Sequence, residues 1–151
     1  FNPHCIAESH GAEICKGIVL DPEDMIIHKG AFSDIDSYSC FFDVAKIHST
    51  DAHDLLQARG VQKLFVLGVA TDFCVKASVI DACKLGYTVY VISDGIRAVD
   101  PSAVEASIQE MKENGAISSK AAKLRIICVR FRSFLITHHF WTLQTAAFSK
   151  S

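Results

Sequence analysis

Apolar and polar positions along the chain follow two periods. Short runs of consecutive apolar residues alternate with stretches in which apolar positions recur every three or four residues, the pattern of parallel strands joined by crossover helices. Met25 to His28 is a short apolar run that ends at Lys29 and Gly30. Ser49 or Thr50 is placed to cap a helix that passes through Leu55 and Leu56 and stops at Gly60. Lys63 to Val69 is almost continuously apolar, as expected of a strand covered on both faces. A helix from about Phe73 to Leu85 follows, with Val75, Val79 and Ala82 on one face and Gly86 as its stop. Thr88 to Ile92 is a further β-branched strand, after which Asp94 and Gly95 read as a turn. Asp100 and Pro101 stand in the order of an N-cap and a first-turn residue, and they open a helix that ends near Asn114 and Gly115.

Composition sets the scale of this pattern. The chain has 151 residues, half of them hydrophobic, which suits one compact α/β domain. Three strands and three helices before residue 116 leave much strand surface uncovered. The Met25 run is reached as if from the middle of a fold, so a further segment upstream is expected. A net charge of −2 gives no general reason to expect a polyanion, and nucleic acid is not an expected partner. The charge is unevenly spread: residues 1–113 hold 9 bases and 17 acids, whereas the rest holds 6 bases and no acid. Residues 119–151 interleave basic and aromatic residues without clear periodicity or caps, so they read as a divergent tail not adapted to the fold. Arg130, Arg132, His138 and His139 interrupt its apolar stretch, which makes a membrane span costly. The six cysteines read as reduced thiols, which points to a cytoplasmic or nuclear compartment, and the start FNPHCIAESHG lacks the layout of a signal peptide.

Cys74 is the focal residue for chemistry. It lies in GVATDFCVKAS, after a buried strand and in the first turn of a helix. Unpaired N–H groups and the helix dipole there favour a thiolate, and the same N–H groups can hold an oxyanion. A buried structural cysteine fits the position equally well on this ground alone. Lys29 also ends a predicted strand and would face the same crevice, where an ammonium favours the thiolate. Without Cys74 it would read as a solvated strand-end lysine.

Three stretches carry a family resemblance: GVATDFCVKASVIDACKLGYTVYVISDGIRAVD, PHCIAESHGAE near the start, and KGAFSDIDSYSCFFD after Lys29. Together they resemble the nicotinamidases among the isochorismatase-like cysteine hydrolases, in the same order, over roughly residues 3 to 117. The resemblance implies a three-layer αβα fold with a parallel sheet, incomplete at the N-terminus, in residues 1–118. It implies hydrolysis of nicotinamide to nicotinate and ammonia in NAD salvage. Cys74 matches the nucleophile and Lys29 the catalytic lysine; the amides of Ala70 and Cys74 match the oxyanion hole, with a cis peptide expected between Val69 and Ala70. His4 matches a ligand of a divalent metal, usually zinc, and Tyr38 an aromatic position of the substrate pocket.

The chain also departs from the family pattern. Neither an acid–base aspartate in a D-x-Q-x-D-F motif nor an Asp-x-His pair of metal ligands precedes His4. These 151 residues alone are therefore expected to be inactive. A catalytically dead form acting by association and another amide hydrolase of the same superfamily remain alternatives, and association into homo-oligomers stays open. Among other polar residues, Asp72 is expected to cap the helix that carries Cys74, Lys76 to face solvent, Arg97 to donate structural hydrogen bonds at a strand end, and Cys83 to lie in the core. His10, His28, His48 and His53 have no metal-like spacing.

Overall fold

The computed structural model describes residue 6, residues 8–14, 16–22 and 24–124, and the backbone of two further strands at 133–138 and 144–149. The strands are β1 (Met25–Lys29), β2 (Lys63–Val69), β3 (Thr88–Arg97), β4 (Ile117–Ser119), β5 (Ser133–His138) and β6 (Gln144–Ser149). The helices are α1 (Ala52–Ala58), α2 (Lys76–Lys84) and α3 (Val104–Glu113). One sheet holds the strands in the order β1-β5-β6-β2-β3-β4. β1 pairs in parallel with β5, and β2, β3 and β4 pair in parallel with one another. β6 is antiparallel to both of its neighbours, so β1 and β2 run the same way and end at the same edge of the sheet. The tail thus contributes two strands between β1 and β2, although its sequence gives no clear period. No helix among the described residues is long and apolar enough to cross a membrane.

The predicted apolar face of α2 is the one that is buried. Val75 and Val79 are completely covered and Ala82 nearly so, against Leu64 and Val66 of β2 and Val89 and Val91 of β3 in one core cluster. Burying a valine side chain contributes about 1.5–3 kcal/mol, whereas a side-chain cap contributes about 1 kcal/mol. Burial therefore holds α2, and no side chain caps its start. The expected Asp100 cap forms on a short 3-10 turn, Pro101–Ala103, that leads into α3: its carboxylate accepts from the Ser102 N–H at 2.9 Å, while α3 itself starts without a side-chain cap. At α1 the Thr50 hydroxyl accepts from the Ala52 N–H at 3.2 Å.

Asp94 and Gly95 do not form the expected turn. They lie inside β3, where the ladder shifts register: Val66 pairs with Val91 and Gly68 with Ile96, so β2 advances two residues while β3 advances five. The wide bulge brings Gly95 against β2, and a Cβ there would come within 3.1 Å of the Leu67 Cβ and 3.3 Å of the Ile92 Cγ2. A side chain there would require the neighbours to shift by a few tenths of an ångström, so glycine suits this close approach, which the local sequence signals equally well as a turn.

Candidate active site

β1 ends at Lys29 and β2 at Val69, on the same edge of the sheet. The Val69–Ala70 peptide is cis, as the resemblance implies. The chain then makes one wide π-type turn from Thr71 to Val75 that carries Cys74 into α2. Within it the Ala70 carbonyl accepts from the Phe73 and Val75 N–H groups at 3.1 and 3.0 Å. Ala70 and Cys74 are both buried.

The Lys29 side chain crosses to this turn. It is only 2% exposed, an uncommon state for a lysine, and it donates to the Ser37 carbonyl at 2.6 Å, the Tyr38 carbonyl at 2.8 Å and the Cys74 Sγ at 3.4 Å. Burial draws the Lys29 pKa down to about 8, and the neighbouring Cys74 thiol, then Cys40, oppose that effect. Cys40 lies close enough to influence the lysine, but burial pushes its own thiol up to about 12, which keeps it protonated. Cys74 is the thiol in direct contact with the ammonium. A thiol so paired is suited to nucleophilic attack, because the ammonium balances the charge that the sulfur carries as thiolate.

Tyr38 stands at the rim of this arrangement. It is half-buried, its ring centroid lies 5.7 Å from that of Phe73, and burial first, then Asp36, raises the pKa of its phenol. His4 lies outside the described residues. Among the described residues no group of three or more His, Cys, Asp or Glu side chains is gathered as a metal site. Cys40, Cys74 and Cys83 form no disulfide.

Two neighbouring residues act differently from expectation. Asp72 does not cap the turn that carries Cys74; its carboxylate accepts instead from the Val99 and Asp100 N–H groups, each at 3.0 Å. It therefore ties the segment after β3 to the nucleophile turn, a long-range pairing that local spacing does not signal. Lys76 is not simply solvent-facing, since it pairs with Glu110 of α3 at 2.8 Å. Arg97 does donate to backbone carbonyls, those of Asp94 and Ile96, and Cys83 packs against the core cluster. His48 stacks on Phe32, and His53 contacts the Tyr87 hydroxyl at 2.9 Å.

Sequence reasoning missed the supports behind Lys29. Ser37 and Tyr38 act through their carbonyls, so side-chain identity gives no signal. Ser78 and Asp81 were not singled out either, since their burial on α2 emerges only from the fold.

Comparison with known proteins places the chain in a family. The chain is 39% identical over 115 residues to the nicotinamidase of Escherichia coli (strain K12), an alignment covering 75% of this chain and 54% of that protein. A solved structure from L. infantum in complex with nicotinate superposes with a TM-score of 0.76 at 37% identity, covering 80% of this chain and 60% of that one. The pyrazinamidase of Pyrococcus horikoshii in complex with zinc gives a TM-score of 0.69 at 32% identity, covering 78% of this chain and 61% of that one. The chain spans about half the length of the curated relatives it matches. The isochorismatase domain model matches residues 1–123, so most of this sequence, including both strand ends that carry Lys29 and Cys74, belongs to the isochorismatase family.

Proposed function

We propose that the chain provides the nucleophile half of a nicotinamidase-type amidohydrolase acting on nicotinamide in NAD salvage. The observation that carries this reading is the buried contact of 3.4 Å between the Lys29 ammonium and the Cys74 sulfur at the edge where β1 and β2 end. The nicotinamidase relative and the nicotinate-bound neighbour support the choice of substrate.

In this mechanism the Cys74 thiolate, favoured by Lys29, attacks the carboxamide carbon of nicotinamide. The backbone N–H groups of Ala70 and Cys74 donate hydrogen bonds to the carboxamide oxygen as negative charge develops on it. Collapse of the tetrahedral adduct breaks the C–N bond, the amine leaves as ammonia after protonation, and a thioester remains on Cys74. Water then attacks the thioester, which releases nicotinate and returns the thiol. Tyr38, beside Phe73 at the rim, lines the side of the pocket that receives the ring. His4 is one ligand of a divalent metal in this reading; the zinc-bound Pyrococcus relative supports it, and no step above runs through the metal.

Protonation of the leaving amine and activation of water need an acid–base group. The D-x-Q-x-D-F aspartate that performs this in the family has no counterpart in these 151 residues. The polypeptide of this sequence alone is accordingly inactive in our reading, and that same observation favours a second one, in which the chain acts only by association with a complete subunit. Ammonia release from nicotinamide distinguishes them. The 151-residue chain should release little; joined to a segment supplying D-x-Q-x-D-F and Asp-x-His, it should turn over, and Cys74→Ala should abolish that. Full turnover by the 151 residues alone would sink the inactivity claim. A joined chain that folds yet releases no ammonia would sink the amidase reading.

A further inference from the structure

The stretch that holds Lys29 in place is itself fastened to α2, the helix that follows the Cys74 turn. Ser78 and Asp81 lie three positions apart on α2, the spacing that brings side chains to one helix face. Their contacts confirm the shared face. The Ser78 Oγ accepts from the Cys40 N–H at 2.9 Å, and the Asp81 carboxylate receives Lys46 at 2.6 Å. Ser78 and Asp81 are 3% and 5% exposed, so both are polar groups buried against the 37–46 segment rather than solvated. That segment carries the two carbonyls that bind the Lys29 ammonium. It has little regular structure of its own: inside it, Asp43 holds a turn by accepting from the Ile47 and His48 N–H groups, and Lys46 sits at φ +59.

We propose that Ser78 and Asp81 are positioning residues: by fastening the 37–46 segment to α2, they keep the Ser37 and Tyr38 carbonyls where they aim the Lys29 ammonium at Cys74. One helix then links both partners of the reactive pair: α2 follows directly on the turn that carries the thiol, and it presents the hooks for the lysine's cradle. The inference rests on the reading of Cys74 as nucleophile. The charged and titratable groups around the pair are Lys29 from β1, Asp36 just before the segment, Tyr38, Cys40 and Lys46 within it, and Asp81 from α2. Carbonyl acceptors favour the charged lysine. Releasing the segment removes them, weakens the ammonium and makes the thiolate harder to form. Loss of the Asp81 charge alone acts in the opposite sense, because a nearby carboxylate disfavours a thiolate.

The test is the pH profile of Cys74 alkylation by iodoacetamide, with each cysteine followed separately by peptide mass spectrometry and the melting temperature recorded for every variant. In the 151-residue chain, Asp81→Asn and Ser78→Ala should both move the Cys74 midpoint to higher pH, with alkylation at pH 7 slowed three- to tenfold. Lys46→Arg, which keeps the charge pair, should retain the unaltered profile. A role confined to stability would lower the melting temperature and leave the midpoint in place. Ser78→Ala changes one atom and no charge, so it decides the matter if Asp81→Asn does not fold. A midpoint that stays or falls in folded Ser78→Ala overturns the proposal while leaving the nucleophile reading intact. If Cys74 in the unaltered chain is alkylated no faster than Cys40 and Cys83, the nucleophile reading itself fails, and this inference with it.

Discussion

Cys74 and Lys29 meet at one point but are delivered by regions of opposite construction. The Cys74 side consists of β2, α2, β3 and α3, where Val66, Val75, Val79, Val89, Val91 and Met111 are almost fully covered in one apolar cluster. The Lys29 side consists of a short strand followed by an irregular segment; Ile27, Cys40 and Phe41 anchor it in the same cluster, but the part around Lys29 is held through side-chain-to-backbone hydrogen bonds of Lys29, Asp43, Thr50 and Ser78. Apolar burial is additive and non-directional, so the first region tolerates small changes anywhere by losing some stability. Hydrogen bonds to buried groups are directional and costly to leave unmade, so the second region is vulnerable at single atoms. The difference teaches that substitutions on the Cys74 side should register mainly as stability, and those on the Lys29 side mainly as reactivity.

The largest effect comes from removing the meeting point. Cys74→Ala should abolish ammonia release by the joined chain described above while changing its melting temperature little, since the side chain shrinks by one sulfur; a residual rate above a tenth would remove Cys74 from the nucleophile role. Next, Lys29→Met keeps most of the bulk and deletes the charge. Alkylation of Cys74 at neutral pH should fall by about tenfold for each pH unit that the thiol midpoint rises.

Lys29 also predicts a pH dependence of stability. Its pKa lies near 8 in the folded chain and at the ordinary 10.5 when exposed, so between these values the unfolded chain binds more protons. The contribution of Lys29 to stability therefore rises with pH across that window, by about 1.4 kcal/mol per unit of depression at full effect. Thermal melts from pH 7.5 to 10.5 should show the difference between the unaltered chain and Lys29→Met shifting in favour of the former; a constant difference would contradict the buried, desolvated lysine.

On the Cys74 side the effects should be in stability. Met111→Ala, at a site 1% exposed, should cost about 2–5 kcal/mol in urea unfolding and leave the alkylation profile of Cys74 unmoved. Gly95→Ala drives a methyl into Leu67 at the bulge between β2 and β3 and should cost about 1–3 kcal/mol by the same measurement. The smallest effect belongs to Glu110→Gln. Its bridge to Lys76 joins side chains that are both partly exposed, so the loss should stay below about 1 kcal/mol and shrink further in salt. A larger loss there would show that α2 and α3 depend on more than their apolar contact.

The Cys74 region was the more legible of the two in the sequence. Period and cap signals placed α2 and α3 because their buried faces repeat every three or four residues and Asp100 precedes Pro101. The Val69–Ala70 cis bond and the adjacency of Lys29 to Cys74 followed from motifs resembling a known family. The Asp94–Gly95 bulge was misread because a glycine after an aspartate signals a turn locally, and only the partner strand shows that the chain continues. Asp72 was assigned to its own helix for the same reason, since its two donors lie 27 and 28 positions away.

By itself, the sequence determined the order of β1, α1, β2, α2, β3 and α3, the apolar faces that build the core, and the two residue types able to form a thiolate–ammonium pair. These follow from local period, from terminator residues and from side-chain chemistry. Tertiary structure decided where the tail strands enter the sheet, how β3 bulges against β2, and that Lys29 is clamped by two carbonyls on a segment hooked to α2. Backbone acceptors carry no identity in a sequence, and a hydrogen bond between distant residues leaves no periodic trace. Those relations exist only once the fold has brought the strand ends and α2 together.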